Sequence, residues 1–200
     1  MRGPCALPAG ARILVAGAHQ EPETVTGHLG AYRLFLSDLV VLTMCEEPLA
    51  TLEQVDDLRL AIAGVDPDLP VIATVLRPRP VESVAGRRVA FFSTAPAAVH
   101  DRLRDHLERE HGAEVVFVSG SLAKRDLLLD ELDSPAVAGA EVYLTEIKAA
   151  AIDVLAETAQ TRGIPVVFAD NEVLPLPGER DLDEAVSALA DAVVAARTVA

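Results

Sequence analysis

Two lysines stand in a chain whose other fifteen basic residues are arginine, and each follows an apolar, strand-like run and a hydroxyl. Lys124 lies in VVFVSGSLAKRD and Lys148 in VYLTEIKAAA. The pattern predicts a helix after each run, opened by Ser121 or Thr145 as N-cap, with the lysine at the third helical position. A capping box places Glu or Gln there instead. A cation in the first turn opposes the half-positive helix end and gives up roughly 0.3–1 kcal/mol unless an anion joins it. Two such ends point to phosphate or carboxylate gripped by backbone amides and an amine together. The alternative is that both amines simply reach solvent on their long stems.

Three other segments carry groups suited to phosphate chemistry. AGAHQEPE sets His19 at a strand's carboxyl end, as a general base, a phosphate hydrogen-bond donor or an ordinary polar loop residue. GHLGAYRLFLSDLVVLTMCEEP offers Arg33, which can fork onto a phosphate or pair with Asp38, and closes on Glu46 and Glu47. Adjacent acids at a strand end suit Mg²⁺, a hard cation that takes oxygen ligands; solvated acids capping the next helix are the competing reading. FADNEV places Asp170, Asn171 and Glu172 similarly, either as part of a metal and phosphate site with Lys148 or as an Asp-Asn turn.

Several motifs are missing. The chain has no G-x-x-x-x-G-K-[ST], no Gly-Lys pair and no G-x-G-x-x-G, so a self-contained nucleotide loop is not expected. CxxC and HExxH are absent, which argues against structural zinc and zincin chemistry. His100, His106 and His111 fall on a charged helical stretch and read as solvated surface.

The elements that must position these groups alternate. Short β-branched runs begin at residues 12, 38, 70, 88, 114, 141 and 165, separated by longer amphipathic segments. Gly64, Gly112 and Gly163 fall where helices should stop. This alternation predicts an α/β fold: a mostly parallel, doubly wound sheet of about six or seven strands with helices on both faces. Ligands then gather at the carboxyl ends of the strands. An irregular leader over residues 1–10 precedes a single α/β domain over 11–200. The segment RPRPVESVAGRR, residues 77–88, is expected to be a loop or junction because Pro78 and Pro80 interrupt regular structure. Two hundred residues, half of them hydrophobic, suffice for one well-filled core.

The net charge of −14 and pI near 4.7 argue against nucleic acid or an anionic membrane surface as partner. No run approaches the roughly 20 apolar residues of a membrane span, and the first ten residues lack a signal peptide's apolar region. Cys5 and Cys45 fit a reducing compartment, so a cytoplasmic protein is expected. The helix starting near Asp183 offers a possible dimer contact.

Taken in order, GHLGAYRLFLSDLVVLTMCEEP, RPRPVESVAGRRVAFFSTAP and YLTEIKAAAIDVLAETAQTRGIPVVFADNE resemble the latter part of the cyclic 2,3-diphosphoglycerate synthetase family, and the resemblance covers nearly the whole chain. It implies a fold like that of P-loop NTPases. The implied reaction is an ATP- and Mg²⁺-dependent ligation that joins the two phosphates of 2,3-diphosphoglycerate into an intramolecular phosphoanhydride. A related activity makes 2,3-diphosphoglycerate from 2-phosphoglycerate. The family's glycine loop is expected to belong to an N-terminal P-loop part outside this chain, which would then be a fragment or one half of a split enzyme. On this reading Lys148, His19 and Arg33 act in catalysis, Lys124, Ser121, Thr145, Arg77 and Asn171 bind substrate phosphates, and Glu46 and Asp170 meet the metal. The alternatives are a non-catalytic anion-binding α/β module and a half that completes a partner's sheet.

Overall fold

The computed structural model describes residues 10–147 and 150–198; the leader expected over 1–10, including Cys5, falls outside them except for Gly10, and Lys148 is outside them too. In chain order the elements begin with β1 (Ile13–Gly17), α1 (Pro22–Thr26), α2 (His28–Leu36), β2 (Leu39–Thr43), α3 (Leu52–Val65) and β3 (Val71–Pro80). Next come β4 (Arg88–Phe92), a single 3-10 turn (Ala97–Val99), α4 (His100–His111), β5 (Glu114–Ser119), α5 (Arg125–Leu132) and α6 (Pro135–Ala138). The series closes with β6 (Val142–Glu146), α7 (Ile152–Arg162), β7 (Val166–Pro175) and α8 (Leu182–Thr198). All seven expected strands form, in the order β1-β2-β3-β7-β6-β4-β5. The pairs β1–β2, β2–β3, β4–β5, β4–β6 and β6–β7 are parallel, as the alternation of strand and helix requires.

The chain divides into two compact units, residues 1–75 with 173–200 and residues 76–172. β3 and β7 each run from one unit into the other. In the first unit, β2 is buried almost throughout, as expected for a strand covered on both faces. Val40 and Leu42 meet Leu34, Leu58 and Ile62 from α2 and α3. Leu39 and Val41 pack on the other face with Ile72, Ala185 and Leu189, beneath α8. Helix α3 starts with a full capping box: Thr51 Oγ1 accepts from the Gln54 amide at 3.2 Å while Gln54 Oε1 accepts from the Thr51 amide at 2.8 Å.

The second unit is built around Phe92, Tyr143, Leu128 and Leu155, with the Phe92 and Tyr143 rings edge to face at 5.3 Å. Gly112 (φ 63°) and Gly163 (φ 66°) close α4 and α7 in the left-handed conformation, where the sequence places helix stops. Gly64, by contrast, lies inside the last turn of α3.

Pro78 and Pro80 lie within β3, not in a loop. Register pairing with β2 reaches Ala73, so the later residues of β3 have a flank on which proline's missing N–H removes no ladder bond. Their pairing is with β7. The Val81 amide donates to Phe168 O at 2.9 Å and the Leu176 amide to Ala73 O at 2.9 Å, a pattern that runs antiparallel.

Two helix starts differ from expectation. α5 begins at Arg125, so Lys124 occupies the N-cap position and not the third helical one. α7 begins only at Ile152, and Thr145 lies inside β6. In both places the strand's hydrogen bonds or a turn persist longer than the hydroxyl-plus-three rule assumes.

Candidate functional site

At the carboxyl ends of β4 and β6, beside β7, the second unit opens a cleft of about 490 Å³ lined by Arg79, Thr94, Glu146, Ile147, Ala169, Asp170 and Asn171. This is the end of a parallel sheet where ligands collect, because loops diverge there and strand ends present polar groups to one space.

Each polar group arrives by a definite route. Thr94 follows β4, and both its amide and its hydroxyl donate to Glu146 Oε2 at 3.1 Å. Glu146 is the last residue of β6. Asp170 and Asn171 lie on β7, both exposed. Arg79 comes from β3, with Nη2 3.6 Å from Asp170 Oδ2 and Nη1 4.0 Å from Glu172 Oε1. The Arg79 side chain is 55% exposed, and ion pairs this long and this wet contribute about 0–1 kcal/mol. Its guanidinium is therefore held near the cleft without being committed, and a phosphate offering two oxygens can take it over.

The loop after β5 is shaped by a carboxylate. Glu131 on α5 accepts from Ser121 Oγ at 2.9 Å and from the Ser119 hydroxyl. Gly120 passes so close to the loop after β4 that a Cβ there would stand 2.3 Å from Ala95 O. Alongside, His100 Nε2 lies 3.1 Å from the same carbonyl.

Of the residues singled out from the sequence, Asp170 and Asn171 meet in the cleft. Arg77 does not line it: half-buried two residues back along β3, it donates to Leu76 O at 3.0 Å. Ser121 is buried with its hydroxyl bound to Glu131, so it does not serve as the helix cap expected of it. Thr145 is wholly buried in β6 and likewise caps no helix. Lys124 is exposed, its amide turned back to Ser121 O at 2.7 Å. Lys148 lies outside the described residues, two positions beyond Glu146 in sequence.

His19, Arg33 and Glu46 belong to the first unit. His19 sits at the end of β1 with its ring folded over Gly17, where a Cβ would lie 2.5 Å from His19 Cε1. Arg33 is exposed on α2. Glu46 is half-buried, and its carbonyl accepts from the Leu49 and Ala50 amides at 3.0 Å.

The histidines of α4 also depart from expectation. His106 and His111 stack edge to face at 5.3 Å, and their Nε2 atoms are buried, not solvated. Burial pushes the His106 imidazole below its ordinary value of 6.5, helped by neighbouring His111 and Arg77 and opposed by Glu110 and Glu172. Arg79, Thr94 and Glu146 escaped the sequence reading. Glu146 carried the available signal, an acid at a strand's carboxyl end, the same rule that singled out Glu46 and Asp170.

Among the described residues no three His, Cys, Asp or Glu side chains gather into a cage for a metal ion. The cleft's two carboxylates, Glu146 and Asp170, instead fit the manner in which Mg²⁺ is usually held, by one or two carboxylates with phosphate oxygens and water completing the shell. Among the described residues no helix is long and apolar enough to cross a membrane.

Two family models match the sequence: the cyclic 2,3-diphosphoglycerate synthetase C-terminal domain over residues 80–172 and the P-loop domain of the same synthetase over residues 4–75. The second match corrects the expectation that the P-loop part lies wholly outside this chain. Sequence belonging to that domain is present, although no Gly-Lys pair occurs in the 200 residues. Cyclic 2,3-diphosphoglycerate synthetase of Rubrobacter xylanophilus is 52% identical over 181 residues, 90% of this chain and 40% of the relative. The enzymes of that name from Methanosphaera stadtmanae and Methanothermus fervidus are 36% and 38% identical, over 88% and 92% of this chain and 38% of each relative. The chain thus spans about two fifths of the length of the curated relatives it matches.

Proposed function

The chain belongs to the cyclic 2,3-diphosphoglycerate synthetase family, and from that premise we propose that it supplies the phosphoglycerate-binding part of an ATP-dependent enzyme that closes 2,3-diphosphoglycerate into its cyclic phosphoanhydride. The observation that carries this reading is the cleft, where an uncommitted Arg79 faces Thr94, Asn171 and two carboxylates at the ends of parallel strands. Bringing two phosphates of one molecule into bonding distance crowds several negative charges, so cations and amide donors must hold them while one phosphate is activated. Arg79 is placed to take one phosphate. Lys148, just beyond Glu146 in sequence, is assigned the other, with Lys124 and Arg77 assigned further positive charge and Asn171 and Thr94 donating hydrogen bonds.

Asp170 and Glu146 would hold Mg²⁺ in the cleft, and Glu46 is the further acid assigned to metal. Bound Mg²⁺ neutralises phosphate oxygens and fixes their geometry. His19 and Arg33, on the unit matched by the P-loop domain, are assigned contacts to the transferring group of ATP. The protein is placed in the cytoplasm, consistent with its acidic surface and paucity of cysteine. A second reading, an anion-binding module that does not turn over by itself, is favoured by one feature, the missing Gly-Lys pair.

Titration calorimetry of the purified chain with 2,3-diphosphoglycerate, and separately with Mg²⁺-ATP, tests the proposal. Binding of the phosphoglycerate, weakened by Arg79→Gln, is expected. If the folded chain binds no phosphoglycerate, with or without Mg²⁺, the proposal fails.

A further inference from the structure

Three buried serines of the second unit, Ser93 after β4, Ser119 at the end of β5 and Ser121 two residues on, share one hydrogen-bond network. The network has a direction. The Ala95 amide donates to Ser93 Oγ at 3.0 Å, and Ser93 Oγ donates to Ser119 O at 3.3 Å. The Ser121 amide donates to Ser119 Oγ at 2.9 Å, and the Ser119 and Ser121 hydroxyls both donate to Glu131. An ionised carboxylate only accepts, so Glu131 ends the network and decides which way both hydroxyls point. Half-buried on α5, it does not line the cleft.

The loop that Glu131 orders holds the segments on either side of it. The Ser93 amide donates to Ser119 O at 2.9 Å and the Leu122 amide to Ser93 O at 3.1 Å, while Leu122 O accepts from the Ala151 amide at 3.1 Å. Thr94, whose amide and hydroxyl reach Glu146, is thus flanked by Ser93 and Ala95, both fastened to this network. Ala151 is three positions beyond Lys148 in sequence.

We propose that Glu131 is a positioning residue for phosphate binding in the cleft, acting through Ser119, Ser121 and Ser93 on Thr94 and touching no ligand itself. The inference rests on the phosphate reading of the cleft. Charge and position make opposite demands here. Removing a negative charge favours a bound anion by electrostatics alone, whereas loosening the loop after β4 displaces Thr94 and weakens binding. Displacements on the order of 1 Å in a site cost as much as ~10²-fold, so position is expected to win.

The test is titration calorimetry of the full chain and its variants with 2,3-diphosphoglycerate, joined to hydrogen exchange without ligand. Glu131→Ala should weaken binding by about fivefold or more. Glu131→Gln loses the same charge but keeps an acceptor oxygen, so it should stay within about twofold of the parent chain. Asp130→Ala, at the exposed acid next to it, removes equal charge outside the network and should bind no more weakly than the parent. In Glu131→Ala the amides of Ala95, Ser121 and Leu122 should exchange about tenfold faster, and those of Val89–Phe92 at an unchanged rate, because local opening is separable from global unfolding. If Glu131→Ala does not fold, Ser121→Ala carries the same test, with weaker binding and faster exchange at Ala95 expected. Should the parent chain bind and either alanine variant bind as well or more tightly, this inference fails alone. Equal losses in Glu131→Ala, Glu131→Gln and Asp130→Ala also overturn it, as does exchange quickened evenly across the unit, which would make Glu131 a residue of general stability. A parent chain that binds no diphosphoglycerate overturns the cleft reading and this inference with it, before any variant is compared.

Discussion

Thr94 donates both its backbone amide and its hydroxyl to one carboxylate oxygen of Glu146, each at 3.1 Å, tying the loop after β4 to the last residue of β6. The tie fixes one wall of the cleft through a single oxygen of Glu146. Replacing Glu146 with Ala removes the acceptor from two donors and should lower stability by about 1 kcal/mol, read as a lower urea midpoint. Glu146→Gln keeps an acceptor oxygen and removes a negative charge, so it should retain stability and bind diphosphoglycerate more tightly in the absence of Mg²⁺. Calorimetry with chelator present checks the second half.

Arg79 and Lys148 are the cations assigned to substrate phosphates. Loss of one charge-assisted contact is worth about 1.5 kcal/mol or more, so Arg79→Gln and Lys148→Met should each weaken diphosphoglycerate binding about tenfold. Arg109→Gln, on α4 outside the cleft, should change affinity by no more than about twofold because a solvated charge at a distance is screened. Equal losses at all three positions would mean that overall charge, not the cleft, attracts the ligand.

Gly120 is required by closeness. A methyl group there would stand 2.3 Å from Ala95 O and 3.1 Å from His100 Nε2. Gly120→Ala must push back the loop that carries Thr94, at about 1–3 kcal/mol. The expected signature is a lowered melting temperature together with weaker phosphate binding, whereas Gly178→Ala, with open space around it but a φ of 88°, should lose stability without touching affinity.

His106 sets a pH dependence with a definite sign. Burial holds its folded-state pKa below 6.5, reinforced by His111 and Arg77 and opposed by Glu110 and Glu172. Below about pH 6.5 the unfolded chain takes up a proton that the folded chain resists, so stability is full above that pH and falls as the pH drops. Thermal melts from pH 7 to pH 5 should decline less steeply in His106→Gln. An unchanged slope would place the acid sensitivity elsewhere.

The strands were legible because buried parallel strands are nearly continuous apolar runs, and β2, with residues from Leu39 to Leu42 all buried, is one. Gly112 and Gly163 were legible as helix ends because only a residue tolerant of positive φ serves there. Helix starts were not. Ser121 gives its hydroxyl to Glu131, ten residues away, and no local rule distinguishes that partner from a capping amide.

By itself, the sequence determined the alternation of strand and helix, the helix-ending glycines, the acidic character and the family, since each depends on residues close together or on composition. Tertiary structure decided that Arg79 and not Arg77 lines the cleft, and that Glu146 and Thr94 form its wall. It also buried the Nε2 atoms of His106 and His111 on α4. Those outcomes depend on which strands become neighbours: Asp170 meets Arg79 only because β7 pairs antiparallel with β3, ninety-one positions earlier in the chain. A pairing at that separation is selected by the whole sheet, not by any local preference.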